Sequence, residues 1–257
     1  MSKVAALVLA GSRQGPADPM AVAAHVTHKA LIPVGGRPMI LRVIEALERS
    51  PRIGQIAVVI ENAAALAPLN LGERVAVLPA ADGPSLSVRH ALETLGTPLL
   101  VTTADHALLE PEWVDYFLAH VPADADVAAA LAPQAKVMAA VPGTRRTFLR
   151  FSDGAFSGCN LFYFSTPKAN RAVAFWGRME TERKHPLRMA RILGIATLLR
   201  YVTRTLSLSG VARHLGRLTN LSVSLVQLPY GLAAVDVDKP ADLELVEQVL
   251  KRGGQTF

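Results

Sequence analysis

The sequence predicts an α/β domain built on a mainly parallel sheet with helices packed against it. Three observations carry this expectation. The stretch from Lys3 to Leu9 is an apolar run ending in Ala10-Gly11, the signature of a strand buried on both faces. β-rich runs and helix-spaced runs then alternate as far as Ala119. Gly and Pro fall at the junctions, where each element has to stop. Such alternation implies right-handed crossovers and a helix-flanked sheet.

In order, Lys3 to Leu9 is the central first strand, followed by a long loop carrying Gly and Pro. From Pro38 to Ser50 the apolar residues Ile40, Leu41, Ile44 and Leu47 stand at helical spacing, with proline near the first turn. Gln55 to Ile60 and Arg74 to Leu78 read as strands, Pro84 to Leu95 as a helix, Pro98 to Thr102 as a strand, and Pro111 to Ala119 as a helix. Beyond Ala123 the rhythm shortens to β-like pieces at Asp126 to Leu131, Thr147 to Phe151 and Gly158 to Phe164. Arg171 to Arg217 reads as a basic helical insertion, before a last strand from Leu221 to Leu228 and a helix from Pro240 to Leu250. No repeat or low-complexity tract is present, so residues 1–257 are expected to form one domain with that insertion.

Composition removes several classes. A hydrophobic fraction of 51% against 19% charged excludes a disordered chain. No apolar run reaches the roughly 18 residues needed to span a bilayer. The amino terminus reads better as a first strand than as a signal peptide, and Cys159 is the only cysteine, so no internal disulfide can form. A cytoplasmic location is the expectation. The net charge of +6 is concentrated in the insertion and has no interleaved aromatics of the nucleic-acid-binding kind. Small phosphorylated substrates, or peripheral contact with an anionic membrane, are expected ahead of DNA.

Five segments carry the chemistry. Leu9-Ala10-Gly11-Ser12-Arg13-Gln14-Gly15 directly follows the first strand. Glycines there let main-chain amides approach phosphates, and Arg13 supplies a planar fork of donors. It lacks the Gly-Lys-Ser/Thr of a Walker loop and the G-x-G-x-x-G spacing of a dinucleotide site. A plain structural turn is the alternative. Lys29-Ala30-Leu31-Ile32-Pro33-Val34-Gly35-Gly36-Arg37-Pro38-Met39 leads into the first long helix, and Asp82-Gly83-Pro84-Ser85 opens another, where Asp82 or Ser85 could simply be a cap. Leu100-Val101-Thr102-Thr103-Ala104-Asp105 is a buried strand ending in a carboxylate, which in an open α/β sheet faces the ligand crevice. Near the end stands Val235-Asp236-Val237-Asp238-Lys239-Pro240-Ala241-Asp242. Read as a strand, it sends Asp236 and Asp238 to one face, with Asp242 capping the helix.

In this order these segments resemble the pyrophosphorylase-type, MobA-like nucleotidyltransferases, whose pattern is L-A-G-x-x-x-G, then K-x-L-x-P-x-x-G-x-P, then a strand-terminal aspartate and a closing D-[IV]-D. Gln14 stands where many relatives carry a second basic residue, and the loop before Lys29 is longer. The resemblance covers nearly the whole chain. It implies a three-layer α/β/α, Rossmann-like and GT-A-like fold with a mixed, mainly parallel sheet. It also implies a Mg²⁺-dependent transfer of a nucleoside monophosphate from a triphosphate to a small phosphorylated acceptor, releasing pyrophosphate. By resemblance Ala10, Gly11, Ser12, Arg13, Gly15 and Lys29 hold the phosphates, Gly83 and Ser85 meet the base, and Asp105 with Asp236 or Asp238 holds Mg²⁺. Asn160, in Gly158-Cys159-Asn160-Leu161, and Lys184, in the basic segment, are the expected acceptor contacts. The rival readings are a GT-A-type glycosyltransferase, which shares the fold and an Asp-x-Asp motif, and a noncatalytic nucleotide-binding or membrane-associated module.

Overall fold

The computed structural model describes residues 3–12, 15–144, 146–182 and 184–253. The first strand, β1 (Val4–Leu9), lies in the middle of the sheet. Its side chains alternate between two cores: Ala6 and Val8 enter one and Leu7 the other, all fully buried. Leu7 alone contributes roughly 1.5–3 kcal/mol by leaving water. An apolar run with no polar face is stable only in such a central place, which is why periodicity located it.

The loop that follows holds α1 (Pro19–Ala23), capped by Asp18, whose carboxylate accepts from the Met20 and Ala21 amides at 2.9 and 3.1 Å. Two short strands, β2 (Pro33–Val34) and β3 (Arg37–Pro38), form a ribbon turned by Gly35 and Gly36, both at positive φ. The ribbon delivers the chain into α2 (Met39–Arg49). β4 (Ile53–Ile60), β5 (Val75–Pro79), α3 (Pro84–Leu95), β6 (Leu99–Thr103) and α4 (Pro111–His120) then follow close to their expected places.

The second half contains β7 (Val127–Pro133), α5 (Gln134–Ala140), β8 (Leu149–Phe151) and the long β9 (Gly154–Phe164). Four helices come next: α6 (Asn170–Glu182), α7 (Pro186–Leu193), α8 (Ile195–Val202) and α9 (Leu208–Thr219). The chain closes with β10 (Val223–Gln227) and α10 (Pro240–Gly253).

The sheet runs β10-β7-β9-β6-β1-β4-β5, with β8 paired to β9. β9 is antiparallel to both β6 and β7, while β10–β7, β6–β1, β1–β4 and β4–β5 are parallel. The sheet is therefore mixed and mainly parallel, with one core on each face. α2, α4 and α10 supply residues to the core of Ala6, and α3 and α6 to that of Leu7. This is the three-layer α/β/α architecture.

The carboxyl ends of β1, β4 and β6 point to one edge of the molecule. The segment after β10 reaches that edge through a 3₁₀ turn, Gly231–Ala234, which lies against α5. There the Gly231 Cα faces the carbonyl of Lys136 so closely that a Cβ would collide with backbone. Gly231→Ala is therefore expected to destabilise the protein by about 2 kcal/mol or more, read as a lower urea midpoint at unchanged slope.

Candidate active site

The glycine turn sits on the end of β1. The Gly15 amide donates to the Ser12 carbonyl at 3.1 Å, and Gly15 has φ of 50°. Ala10 is buried beneath the turn, and Gly11 approaches Glu61, which follows β4. The Glu61 carboxylate accepts from the Ser12 amide at 2.5 Å. Arg13, a predicted phosphate contact, lies outside the described residues.

Lys29 opens a 3₁₀ turn, Lys29–Leu31, just ahead of the β2–β3 ribbon. Its ammonium donates to Asp105 Oδ2 at 2.9 Å and to Asp238 Oδ1 at 3.0 Å. One cation thus joins two carboxylates that stand 76 and 209 residues from it in sequence. The main chain reinforces the junction, because the Val237 amide donates to the Asp105 carbonyl at 3.0 Å. Burial opposes the charge on Lys29. The Asp105 charge and the hydrogen bonds to Asp105 and Asp238 outweigh it, and the ammonium's pKa is raised overall. Lys29 and Asp105 are each 20% exposed and Asp238 66%, so the Asp105 contact is the less screened of the two. Asp105 Oδ1 is buried and has no hydrogen-bond partner among the described residues, and neither has Thr103 Oγ1.

Asp236 turns to different partners. The segment 235–239 is not a strand, so the two-residue alternation that would have put Asp236 and Asp238 on one set of contacts does not operate. The Arg146 guanidinium pairs with Asp236 Oδ1, and Asn160 Nδ2 donates to Oδ2 at 2.8 Å. Asn160 has φ of 47° and lies where the pairing of β7 with β9 slips between Ala129 and Leu131. Asn tolerates this left-handed conformation, and the irregularity aims its amide at Asp236. Asp242 accepts from the Asp238 and Lys239 amides, each at 3.2 Å, as a cap on α10.

A cavity of about 710 Å³ opens beside these residues, lined by Arg146, Thr147, Ser157, Asn160, Asp236, Asp238 and Lys239 among others. Asn160 is in its wall. Lys184 is not: it is exposed in the turn between α6 and α7, on the arm that covers α3, and lines neither this cavity nor the next. A charged stretch predicts exposure but not which face of the fold it will cover.

On the other flank, Gly83 rather than Asp82 or Ser85 is the N-cap of α3, with φ of 116°. The Ser85 hydroxyl donates to Glu180 of α6 at 2.9 Å. A second cavity, of about 530 Å³, lies between Asp82, Ser85, Arg89, Arg178 and Glu180. Thus the expected base-contact loop is overlain by the helical arm.

Arg146, Glu61 and Glu180 escaped sequence reasoning. Glu61 had a signal, since it ends an apolar strand just as Asp105 does; Arg146 and Glu180 lie in no motif. His106 follows Asp105 and is fully buried near Trp113, with ring centroids 6.0 Å apart. Burial, against the opposing charges of Asp105 and Asp236, pushes its pKa down to about 4, so it is neutral at pH 7 and fills space behind the carboxylates.

A profile for the MobA-like NTP transferase domain matches residues 6–217. The chain belongs to that family. A structure described as a hypothetical transferase from Thermus thermophilus is 32% identical over 94% of this chain and 99% of its own, with a TM-score of 0.81. More distant folds include CMP:2-keto-3-deoxy-manno-octonic acid synthetase complexed with CTP, at 12% identity, 98% and 100% coverage and TM-score 0.59. Another is 4-diphosphocytidyl-2C-methyl-D-erythritol synthase, at 14% identity, 97% and 99% coverage and TM-score 0.58. Sequence comparison with curated proteins gives no match. Membership makes the chain a nucleotidyltransferase, and the two synthases share its fold.

Cys159 stands beside Asn160 but inside the core, 1% exposed, and burial pushes its thiol up to about 12. Native protein at pH 8 is accordingly expected to resist iodoacetamide, with alkylation becoming rapid in urea; fast reaction of the folded enzyme would contradict this placement.

Proposed function

We propose that this protein transfers a nucleoside monophosphate from a nucleoside triphosphate to a small phosphorylated acceptor, with release of pyrophosphate. The observation that carries the reading is the convergence of Lys29, Asp105 and Asp238 at the carboxyl end of β6, next to a 710 Å³ cavity with two cations, Arg146 and Lys239, in its wall. Ligands of open α/β sheets lie at that end, and the volume falls within the range of small-molecule sites.

The residues fit a magnesium ion. Asp105 offers a buried oxygen without a partner, and Asp238 a second carboxylate on the same ammonium. Two carboxylates suit Mg²⁺, which commonly takes one or two together with substrate phosphates. Asp238 is favoured over Asp236, because both oxygens of Asp236 are already used by Arg146 and Asn160. When bound, Mg²⁺ would supply Lewis-acid neutralisation of charge on the α-phosphate.

The protein's own groups then have distinct tasks. The Ser12 amide exchanges its internal Glu61 contact for a phosphate oxygen, and Gly11 and Gly15 place no side chain at either end of the turn. Lys29, held protonated by its carboxylates, offsets the charge that grows on the departing pyrophosphate. Asn160 and Arg146 fix Asp236 as one wall of the acceptor cavity, and Arg146 with Lys239 attracts the acceptor phosphate. An oxygen of that phosphate attacks the α-phosphorus in line, the bond to the β-phosphate oxygen breaks, and pyrophosphate carries away the electron pair. No covalent enzyme intermediate is required, since catalysis of this type rests on positioning and charge.

The test is a screen of four nucleoside triphosphates against phosphorylated sugars, polyols and cofactor precursors in Mg²⁺, scored for pyrophosphate. Asp105→Ala is expected to keep its circular dichroism spectrum and to lose roughly 10³-fold in kcat, about 4 kcal/mol of transition-state stabilisation. Release of nucleoside diphosphate from nucleotide-sugars offered in place of the triphosphates, with no pyrophosphate formed from the triphosphates, would instead establish the glycosyltransferase reading. Unchanged turnover in Asp105→Ala would remove that residue from the site.

A further inference from the structure

We propose that α7 and α8 seat the protein on an anionic lipid surface. In α8, Ile195, Leu198, Leu199 and Val202 follow the spacing i, i+3, i+4, i+7, which places them on one stripe. That stripe faces solvent: the four residues are 75%, 39%, 62% and 68% exposed, and α8 buries none of its residues. Leu187 of α7 is 87% exposed. α2, which has the same kind of spacing, turns its stripe into the core. An amphipathic helix with its apolar side outward lacks the partner for which that side is suited.

Charge identifies the partner. Between Glu182 and Asp236 the chain has no acidic residue and eight Lys or Arg. Lys184, Arg188, Arg191, Arg200 and Arg204 of this stretch are exposed around α7 and α8, and among the described residues Arg188 alone of them has an ion pair, with Glu182 at 3.2 Å. A second copy meeting this face would bring the same surplus of positive charge against it. A nucleic acid would answer the arginines but leave the stripe in water. An anionic bilayer surface answers both, because acyl chains take the aliphatic side chains and headgroup phosphates take the cations. No helix of the described residues is long and apolar enough to cross a membrane, so the contact is with the surface.

The arm is also coupled to the body. Tyr201 of α8 meets Phe151 of β8 edge-on at 5.7 Å, and the Ser152 amide donates to the Leu206 carbonyl at 2.9 Å. The hairpin thus gripped carries Leu149 and Ser157, which line the 710 Å³ cavity. Docking through α8 holds that cavity near the lipid headgroups. The proposal stands independently of the nucleotidyl transfer reading.

The experiment is co-sedimentation of the whole protein with phosphatidylcholine vesicles, with and without about a third phosphatidylglycerol. Binding is expected only to the acidic vesicles and is expected to weaken as salt rises. Leu199→Asp should lower the apparent affinity at least about tenfold, and Arg191→Gln with Arg200→Gln about thirtyfold, at roughly 1 kcal/mol per basic residue. All three positions are exposed, so an unchanged Tm is expected and certifies each variant; Ile195→Ser provides a milder apolar substitution. Equal binding to both kinds of vesicle, binding to neither, or binding that ignores Leu199→Asp would overturn the proposal. So would a concentration-dependent dimer, seen by light scattering, that Leu199→Asp dissolves, for then a second copy covers the stripe.

Discussion

The ammonium of Lys29, held between Asp105 and Asp238, is the contact around which the site is organised. It brings together the loop after the first strand, the end of β6 and the segment before the last helix. A partly buried carboxylate without a cation is unfavourable, and so is a partly buried ammonium without an anion. Each group therefore makes the position of the others tolerable. Much of the surrounding architecture maintains this arrangement. The Val237 amide bonds to the Asp105 carbonyl, and the Gly35 amide bonds to Glu247 at 2.6 Å, tying the β2–β3 ribbon to α10. The close passage of Gly231 over Lys136 sets where the acidic segment begins.

From that junction the molecule divides into two flanks. One is the cavity of Arg146, Asn160 and Asp236, where a β-strand irregularity and an αL asparagine build a polar wall out of what would otherwise be core. The other is the loop of Gly83 and Ser85 beneath Glu180 of the helical arm. The two aspartates of the closing motif lie only two residues apart and both line the cavity, yet they take different partners. Asp238 accepts from Lys29, and Asp236 pairs with Arg146. The irregular backbone of residues 235–239 permits that division; a regular strand would have sent both the same way.

The legible parts of the site were those whose chemistry requires a residue type at a chain junction. Glycine after β1, lysine before α2 and aspartate after β6 each stand at an element boundary, where the period of apolar residues stops and a polar residue is conspicuous. Arg146 and Glu180 were not legible, because one lies in a connecting segment and the other on an ordinary helix face. Nothing in a linear pattern distinguishes either from a solvated side chain. Lys184 shows the converse: its basic neighbourhood made it an attractive acceptor contact, but the arm on which it sits packs over α3.

By itself the sequence determined most of the sheet strands and the long helices, the burial of β1 on both faces and the family, because those follow from local periodicity and from motifs held in order along the chain. Only the tertiary structure decided which aspartate shares a cation with Asp105, that a carboxylate from the helical arm meets Ser85, and that α8 turns its aliphatic stripe to solvent. These depend on distances between residues far apart in the chain, which a one-dimensional pattern does not encode. Helical spacing specifies that a stripe exists, while the packing of neighbouring elements decides which way it faces.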